Sequence, residues 1–232
     1  MSGTRVGWVV DAQVDFMDPR GRLYIKDLES AEDPGAVRIV ETLRSALAWM
    51  REHCAVVVFT GDWHGLEDEE IDADAPNPAE GTFPPHCMGR SSDPEERAGA
   101  EIIPEIRPED PVVLSLGADE ETARAVARRA VTEARPVFIR KNRFDVFAGN
   151  PAAEAFVEAL GAELGGAPEF VVVGVARDVC VTQAVDGLQA RGHAVTALRD
   201  ATWGLGLEPE EATLARWARR GRVTTLAELA GG

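Results

Sequence analysis

Three side chains that could carry out nucleophilic chemistry stand at the ends of apolar, β-branched runs of the chain: Asp11, Lys141 and Cys180. A thiol at the beginning of a helix has a lowered pKa, which favours the nucleophilic thiolate, and the backbone N–H groups there can bind an oxyanion. A partly buried carboxylate can act as a general base, and a lysine can hold a thiolate or carboxylate by its charge. Each residue also has a structural interpretation. Cys180 could be a small core residue, Asp11 a turn cap and Lys141 a solvated loop cation.

A second set of side chains has the composition of a metal site. Asp62 and His64 follow another apolar run, and His86 comes 22 residues after His64. Two imidazoles and a carboxylate with open positions suit zinc, iron or manganese. The spacing leaves open that His64 only forms a hydrogen bond with Asp62. The other histidines and cysteines are interpreted as structural residues: His53, His193, Cys54 and Cys87.

Apolar runs that read as buried strands alternate with amphipathic helical patterns. This alternation predicts an α/β fold with three layers, in which a mostly parallel sheet of six strands lies between helices. Ligands of such sheets bind outside the carboxyl ends of the strands, where the candidate residues stand. The predicted strands are Val6–Val10, Ala55–Thr60, Val112–Leu116, Val137–Arg140, Glu169–Gly174 and Ala194–Leu198. The predicted helices are Val37–Glu52, Asp119–Ala134, Val179–Arg191 and Glu208–Arg220.

One segment, at about 61–108, interrupts this alternation. It is rich in Asp, Glu and Pro, and it is too long for an ordinary connection. Irregular segments of this length within a domain are usually functional or disordered. Because the chain shows no repeat and no linker composition, we expect residues 1–232 to form one domain that carries this long loop.

Composition and charge exclude several classes of protein. With 45% hydrophobic and 28% charged residues the chain has the composition of a globular protein, and its net charge of −16 disfavours nucleic acid or an anionic membrane as partner. We find no apolar run of about 18 residues and no signal peptide at the N-terminus. Three widely spaced cysteines fit a reducing compartment. We therefore expect a cytoplasmic protein.

Five segments, in order along nearly the whole chain, resemble the motifs of the nicotinamidase/isochorismatase-like cysteine hydrolases. The family patterns are D-x-Q-x-D-F, T-x-D-W-H, W-P-x-H-C, R-K and G-x-A-T-D-x-C-V. The corresponding segments are Asp11-Ala-Gln13-Val-Asp15-Phe16, Thr60-Gly-Asp62-Trp63-His64, Phe83-Pro-Pro-His86-Cys87, Arg140-Lys141 and Gly174-Val-Ala176-Arg177-Asp178-Val-Cys180-Val181.

The resemblance implies a site and a role for each of its residues. It implies a catalytic triad of Cys180, Asp11 and Lys141, and a cis peptide before Ala176. The N–H groups of Ala176 and Cys180 would form an oxyanion hole. One divalent ion, with zinc favoured over iron or manganese, would be bound by Asp62, His64 and His86, with Glu70 as a further candidate ligand. The residues expected to contact substrate are Phe16, Phe83, Trp63 and Arg177.

The implied activity is that of a nicotinamidase, which converts nicotinamide to nicotinate and ammonia for NAD salvage, in a homo-oligomer. Arg177 stands where the family usually has threonine, so an alternative is an amidase or carbamoyl-type hydrolase of a carboxylate-bearing small amide. A third alternative is a non-catalytic scaffold of the same fold. The segments 88–98 and 119–134 look longer than usual for the family and are expected to reshape a lid or a subunit contact.

Overall fold

The computed structural model describes residues 4–231, and its centre is one sheet of parallel strands. The strands are β1 (Arg5–Val10), β2 (Val56–Asp62), β3 (Val112–Leu114), β4 (Val137–Lys141), β5 (Glu169–Val175), β6 (Ala194–Trp203) and β7 (Arg222–Thr224). They are arranged in the order β3-β4-β2-β1-β5-β6-β7. All six neighbouring pairs are parallel.

Helices connect the strands and cover the sheet. They are α1 (Val14–Met17), α2 (Val40–His53), α3 (Pro94–Gly99), α4 (Glu120–Thr132), α5 (Val146–Gly149), α6 (Ala152–Glu163), α7 (Thr182–Ala190), α8 (Glu210–Trp217) and α9 (Leu226–Ala230). A π-helical turn, Arg177–Val181, joins β5 to α7, and two short 3-10 helices lie at Ala36–Ile39 and Pro78–Glu80.

The sheet is apolar on both faces, because consecutive side chains of a strand point to opposite sides. In β5, Phe170 and Val172 belong to one buried cluster, and Val171 and Val173 belong to the other. Helices α4, α6, α7 and α8 contribute to the first cluster. Helices α2 and α9 contribute to the second. The predicted α/β fold with three layers is therefore confirmed.

The sheet differs from the expected one by its last strand. It has seven strands rather than six. The additional strand, β7, has three residues with the sequence Arg-Val-Thr, and only Thr224 is fully buried. A segment this short and polar shows no alternation of apolar and polar residues from which a strand could be predicted.

The long segment at 61–108 is largely irregular, as expected. Beyond the end of β2 its regular structure is one short 3-10 helix and α3. An isolated bridge joins Gln13 to Ile102, and the backbone N–H of Cys87 donates to Oδ2 of Asp15 at 2.7 Å, so the segment is attached to the body of the protein at more than one point. A second bridge, between Ile71 and Phe83, lies within the segment. The stretch at 119–134 forms α4, which packs on the sheet beside α6.

None of the helices between residues 4 and 231 combines the length and the apolar character that crossing a membrane requires.

A buried asparagine ties together the strand ends on one side of the sheet. Asn150 is fully buried, and its Nδ2 donates to the carbonyl oxygens of Arg140 at 2.9 Å and Ser115 at 3.1 Å. Its Oδ1 accepts from the backbone N–H of Ala152 at 3.2 Å. The side chain therefore satisfies the polar groups where β3 and β4 end and α6 begins.

We expect Asn150→Ala to lower the free energy of unfolding by about 1–3 kcal/mol, because buried carbonyl groups lose their donor. Denaturant unfolding measures this loss. The control Glu158→Ala removes an exposed side chain of α6 and should change stability by less than about 0.5 kcal/mol. An Asn150→Ala protein as stable as this control would contradict the assignment.

Candidate active site

Four polar side chains meet at the carboxyl ends of the central strands. Asp11 follows β1, Asp62 ends β2, Lys141 ends β4, and Cys180 lies in the π-helical turn after β5. Asp62 and Lys141 are direct partners in the register of β2 and β4. Strands β2 and β5 lie on either side of β1 in the sheet, so the order of the strands reverses at β1. The crevice at such a reversal is the usual ligand site of parallel sheets.

The ammonium group of Lys141 lies at the centre of this arrangement. Its Nζ is 2.8 Å from Oδ2 of Asp11 and 3.7 Å from Sγ of Cys180. It also donates to Oδ1 of Asp62 and, at 3.1 Å, to the carbonyl oxygen of Arg143. The Lys141 side chain is only 1% exposed. One buried cation therefore faces two buried carboxylates and the thiol.

Burial and these charges act in opposite directions on the pKa values. Burial raises the pKa of Asp11, although Lys141 opposes this effect. Burial would also raise the pKa of Asp62, but Lys141 together with His64 and His86 outweighs this effect, and the pKa is lowered. The pKa of Lys141 is well above its ordinary value, because the two carboxylates outweigh the cost of burying the ammonium.

The thiol of Cys180 differs from the sequence-based expectation. A helix start was expected to lower its pKa, but burial raises it well above the ordinary value even though Lys141 acts in the opposite direction. The resting thiol is therefore protonated, and it needs a base beside it. Asp11 is in position for that role. Thr60 Oγ1 donates to its Oδ1 at 2.7 Å, which directs Oδ2 toward the centre of the site.

The three predicted metal ligands form a compact buried group. Donor atoms of Asp62, His64 and His86 all lie within 4.8 Å of one another. The Nε2 atoms of His64 and His86 are 3.7 Å and 3.9 Å from Oδ2 of Asp62. Nδ1 of His86 is 2.7 Å from the carbonyl oxygen of Pro84, so this nitrogen is the donor and Nε2 has the free lone pair.

The donor set fits a divalent cation. Burial lowers the pKa of His86 to about 4, so its imidazole is neutral at pH 7 as a metal ligand must be. Nε2 of His64 is buried and has no hydrogen-bond partner among the described residues. A buried nitrogen without a partner is costly, and a cation between the three side chains would remove that cost.

Two neighbouring arrangements also contain carboxylates. Glu70 lies outside the group of three: its Oε1 accepts from the backbone N–H of Phe144 at 2.8 Å, and burial raises its pKa to about 7. Its Oε2 is buried without a hydrogen-bond partner among the described residues, so its role as a further ligand stays a prediction. Donor atoms of Asp11, Asp62 and Cys180 also lie within 4.8 Å of one another. Because the Lys141 ammonium contacts all three, a second cation there would be repelled.

A narrow apolar cavity opens onto Cys180. Its free volume is about 20 Å³, which is room for about one water molecule. Its polar lining consists of Cys180, Asp62 and His86, and among residues 4–231 no lysine or arginine lines it. The apolar lining residues are Phe16, Leu23, Ile25, Phe83, Phe144, Ala176, Val179 and Leu205. A larger cleft, of about 440 Å³ around Cys54, lies at the other end of the sheet and contains none of the candidate catalytic residues.

The structure brings most of the predicted residues together at this cavity. Phe16 and Phe83 line the cavity, and their contact with a substrate stays a prediction. The peptide bond between Val175 and Ala176 is cis, as expected. The walls formed by Phe144 and Leu205 were missed. Phe144 stands three residues after Lys141, and this closeness is the signal that could have identified it.

Two predicted substrate contacts lie elsewhere. Trp63 packs edge-on against Phe138, and the guanidinium of Arg140 lies 3.9 Å from its ring centroid. The guanidinium of Arg177 is 3.1 Å from Oε2 of Glu210, in a separate cavity. Neither side chain is among the residues that line the cavity at Cys180, and contact of these residues with a substrate stays a prediction.

We expect Lys141→Met to lower the free energy of unfolding by about 3–5 kcal/mol at pH 7, because two buried carboxylates lose their counter-ion. Without the ammonium, the pKa of these carboxyls in the folded protein rises above the unfolded value. Folding then favours the protonated carboxyls, so the stability lost by the variant relative to wild type becomes smaller as the pH falls from 7 toward 5.

Denaturant unfolding of wild type and variant at several pH values measures this effect. The double variant Asp11→Asn, Lys141→Met should recover part of the lost stability, since one uncompensated charge is removed. A loss of stability in Lys141→Met that is below about 1 kcal/mol, or that is independent of pH, would contradict the central role of Lys141.

Comparison with known proteins agrees with this fold. The model of the isochorismatase domain matches residues 113–228, which is half of the chain and includes Lys141 and Cys180. No curated protein sequence matches significantly.

Solved structures of similar fold include amidases. A nicotinamidase/pyrazinamidase from Bacillus subtilis has a TM-score of 0.65 and 19% identity, covering 95% of this chain and 99% of its own. N-carbamoylsarcosine amidase from Thermoplasma acidophilum has a TM-score of 0.62 and 20% identity, covering 96% of each chain. A pyrazinamidase of Pyrococcus horikoshii in complex with zinc has a TM-score of 0.64 and 23% identity, covering 96% of this chain and 99% of its own.

At these identities the structures show a shared fold. Together with the family model, they establish that the chain belongs to the isochorismatase-like hydrolases, a family that includes amidases.

Proposed function

We propose that this protein is a metal-containing cysteine amidohydrolase that converts nicotinamide to nicotinate and ammonia. One observation carries the proposal. The thiol of Cys180, beside the Lys141 ammonium at 3.7 Å, faces a cavity with phenylalanine walls, and the described lining residues include no lysine or arginine. Such a cavity suits a neutral aromatic amide whose carbonyl carbon is brought to the sulfur.

The proposed reaction begins with proton transfer. Asp11 accepts the thiol proton of Cys180, and Lys141 stabilises the thiolate by its charge. The raised pKa of Asp11 makes its carboxylate a stronger base, whereas the raised pKa of the Cys180 thiol opposes the transfer. The Lys141 ammonium, 3.7 Å from the sulfur, offsets part of this cost by stabilising the thiolate.

The thiolate attacks the amide carbonyl and forms a tetrahedral oxyanion, which the backbone N–H groups of Ala176 and Cys180 are proposed to bind. Protonated Asp11 gives its proton to the leaving ammonia as the C–N bond breaks. A water molecule, deprotonated by Asp11, then hydrolyses the thioester between Cys180 and the acyl group. The products are nicotinate and the free thiol.

Asp62, His64 and His86 are proposed to hold one divalent ion, zinc in preference to iron or manganese. When bound, this ion would act as a template that orients the pyridine nitrogen or a water molecule. The orphaned Nε2 of His64 supports this assignment. The similar pyrazinamidase from Pyrococcus horikoshii was solved in complex with zinc.

The cavity favours a neutral substrate over a carboxylate-bearing one. Besides the proposed ion, which is assigned to the pyridine nitrogen or a water molecule, the described lining residues offer no cationic partner for a buried carboxylate. Arg177, which made a carbamoyl-type substrate attractive, is paired with Glu210. A non-catalytic scaffold is also disfavoured, because burying the charges around Lys141 has a high desolvation cost and adds little to the stability of a fold.

Substrate entry requires the walls to move, since about 20 Å³ of free space cannot hold an aromatic ring. Leu23, Ile25 and Leu205 lie on irregular segments outside the sheet and helices. These walls are therefore better able to move outward than Ala176 or Phe16, which are fixed beside the strand ends.

We expect purified protein to release ammonia from nicotinamide and Cys180→Ala to reduce the rate by more than about 1,000-fold, because the nucleophile is lost. Ammonia release measures both. The control Cys54→Ala changes a half-buried cysteine at the other end of the sheet and should keep the wild-type rate. N-carbamoylsarcosine should be a poor substrate. Faster release from it than from nicotinamide would refute the proposed specificity.

His86→Ala should lower the content of bound metal well below one ion per chain, because a neutral imidazole ligand is removed. Elemental analysis after gel filtration measures this. The control His53→Ala removes an exposed histidine beside Trp49 and should leave the metal content unchanged. An unchanged metal content in His86→Ala would exclude His86 from the ligand set.

A further inference from the structure

The imidazole of His64 contacts a carboxylate, Asp68, on the side away from Asp62. Asp68 is not one of the three proposed metal ligands. Nδ1 of His64 is 3.1 Å from Oδ2 of Asp68, and the His64 side chain is fully buried. An ionised carboxylate can only accept a hydrogen bond, so Nδ1 is the donor and carries the ring proton. In the neutral ring this leaves the lone pair on Nε2, which faces Asp62.

Asp68 has the contacts of a residue that is built into place. Its Oδ2 is 2.5 Å from a guanidinium nitrogen of Arg90 and accepts from the backbone N–H of Gly65 at 3.0 Å. Its Oδ1 accepts from Nδ2 of Asn142 at 3.0 Å. The Asp68 side chain is 6% exposed. With these partners it cannot turn toward the donor group and serve as a ligand itself.

The neighbouring carboxylates differ from Asp68 in this respect. Glu67 and Glu69 belong to the same acidic run, and their side chains are 71% and 74% exposed. Glu67 contacts Arg90, and Glu69 contacts Arg143, at the surface. Asp68 is therefore the member of the run that joins the surface cation Arg90 to the buried imidazole.

The two histidines are supported differently. Nδ1 of His86 meets the neutral carbonyl oxygen of Pro84, whereas Nδ1 of His64 meets a carboxylate. A carboxylate behind a ligating imidazole fixes its tautomer and ring orientation and increases its basicity as a ligand. Removing such partners typically weakens metal binding by about 10–100-fold.

We infer that Asp68 is a positioning residue of the metal site, which orients His64 and directs its Nε2 lone pair toward the ion. The inference rests on the proposed function, in that it requires Asp62, His64 and His86 to bind a metal. Asn142 directly follows Lys141, so the same carboxylate also joins the metal side of the site to the end of β4.

The test is the dissociation constant for zinc, measured by competition with a chelator for wild type, Asp68→Asn and Asp68→Ala. We expect about 10-fold weaker binding for Asp68→Asn, which keeps an acceptor oxygen but loses the charge, and weaker binding still for Asp68→Ala. The control Glu67→Gln should bind zinc within about twofold of wild type, since its side chain is exposed and does not contact His64.

The melting temperature of each metal-free variant shows whether it folds. If Asp68→Ala does not fold, Arg90→Gln provides the second test, because it releases Asp68 from its surface partner without changing His64. We expect it to weaken zinc binding several-fold. Wild-type affinity in folded Asp68→Ala would overturn the inference while leaving the metal site intact. Failure of wild type itself to bind zinc would overturn the proposed metal site and this inference with it.

Discussion

The candidate site depends on one buried ammonium group that is shared by two buried carboxylates. Lys141 contacts Asp11 on one side and Asp62 on the other, and all three side chains are almost fully buried. Such a group is stable only when every charge has its partner, because an unpaired buried ion costs several kcal/mol. The ends of β1, β2 and β4 therefore cannot shift independently. Parallel pairing in fixed register holds them together.

This lysine also joins the two halves of the proposed chemistry. Oδ1 of Asp62 accepts from Lys141, and its Oδ2 faces the two histidines. Through Lys141, the proposed nucleophile thus shares the Asp62 carboxylate with the proposed metal ligands His64 and His86. The cavity that opens onto both halves is apolar apart from Cys180, Asp62 and His86, so the proposed substrate would be selected by ring shape and neutrality rather than by an ion pair with a side chain. The absence of a cationic lining residue in the described part of the chain is what separates the proposed substrate from the carbamoyl alternative.

Much of the fold and the location of the site could be predicted, because their signals are local. Runs such as 55–60 and 169–174 are continuously apolar, and in a parallel sheet the residues that follow such strands must gather at one edge. The helix α6 was missed although its apolar spacing is helical, and β7 was too short to show a period. The direction of Arg177 could not be predicted, since it depends on Glu210, 33 residues away. The wall at Leu205 and the role of Asp68 also arise from contacts between distant segments, and within its acidic run Asp68 has no local feature that distinguishes it from Glu67.

The most direct test of the central claim is to look for the covalent intermediate on Cys180. Protein that is turning over nicotinamide would be quenched in acid and digested with trypsin, and the peptide 178–191 examined by mass spectrometry. The account predicts a fraction of this peptide that carries one nicotinoyl group in thioester linkage, and none in protein quenched without substrate. Sustained turnover with this peptide unmodified, or with the acyl group on another residue, would contradict the assignment of Cys180 as nucleophile.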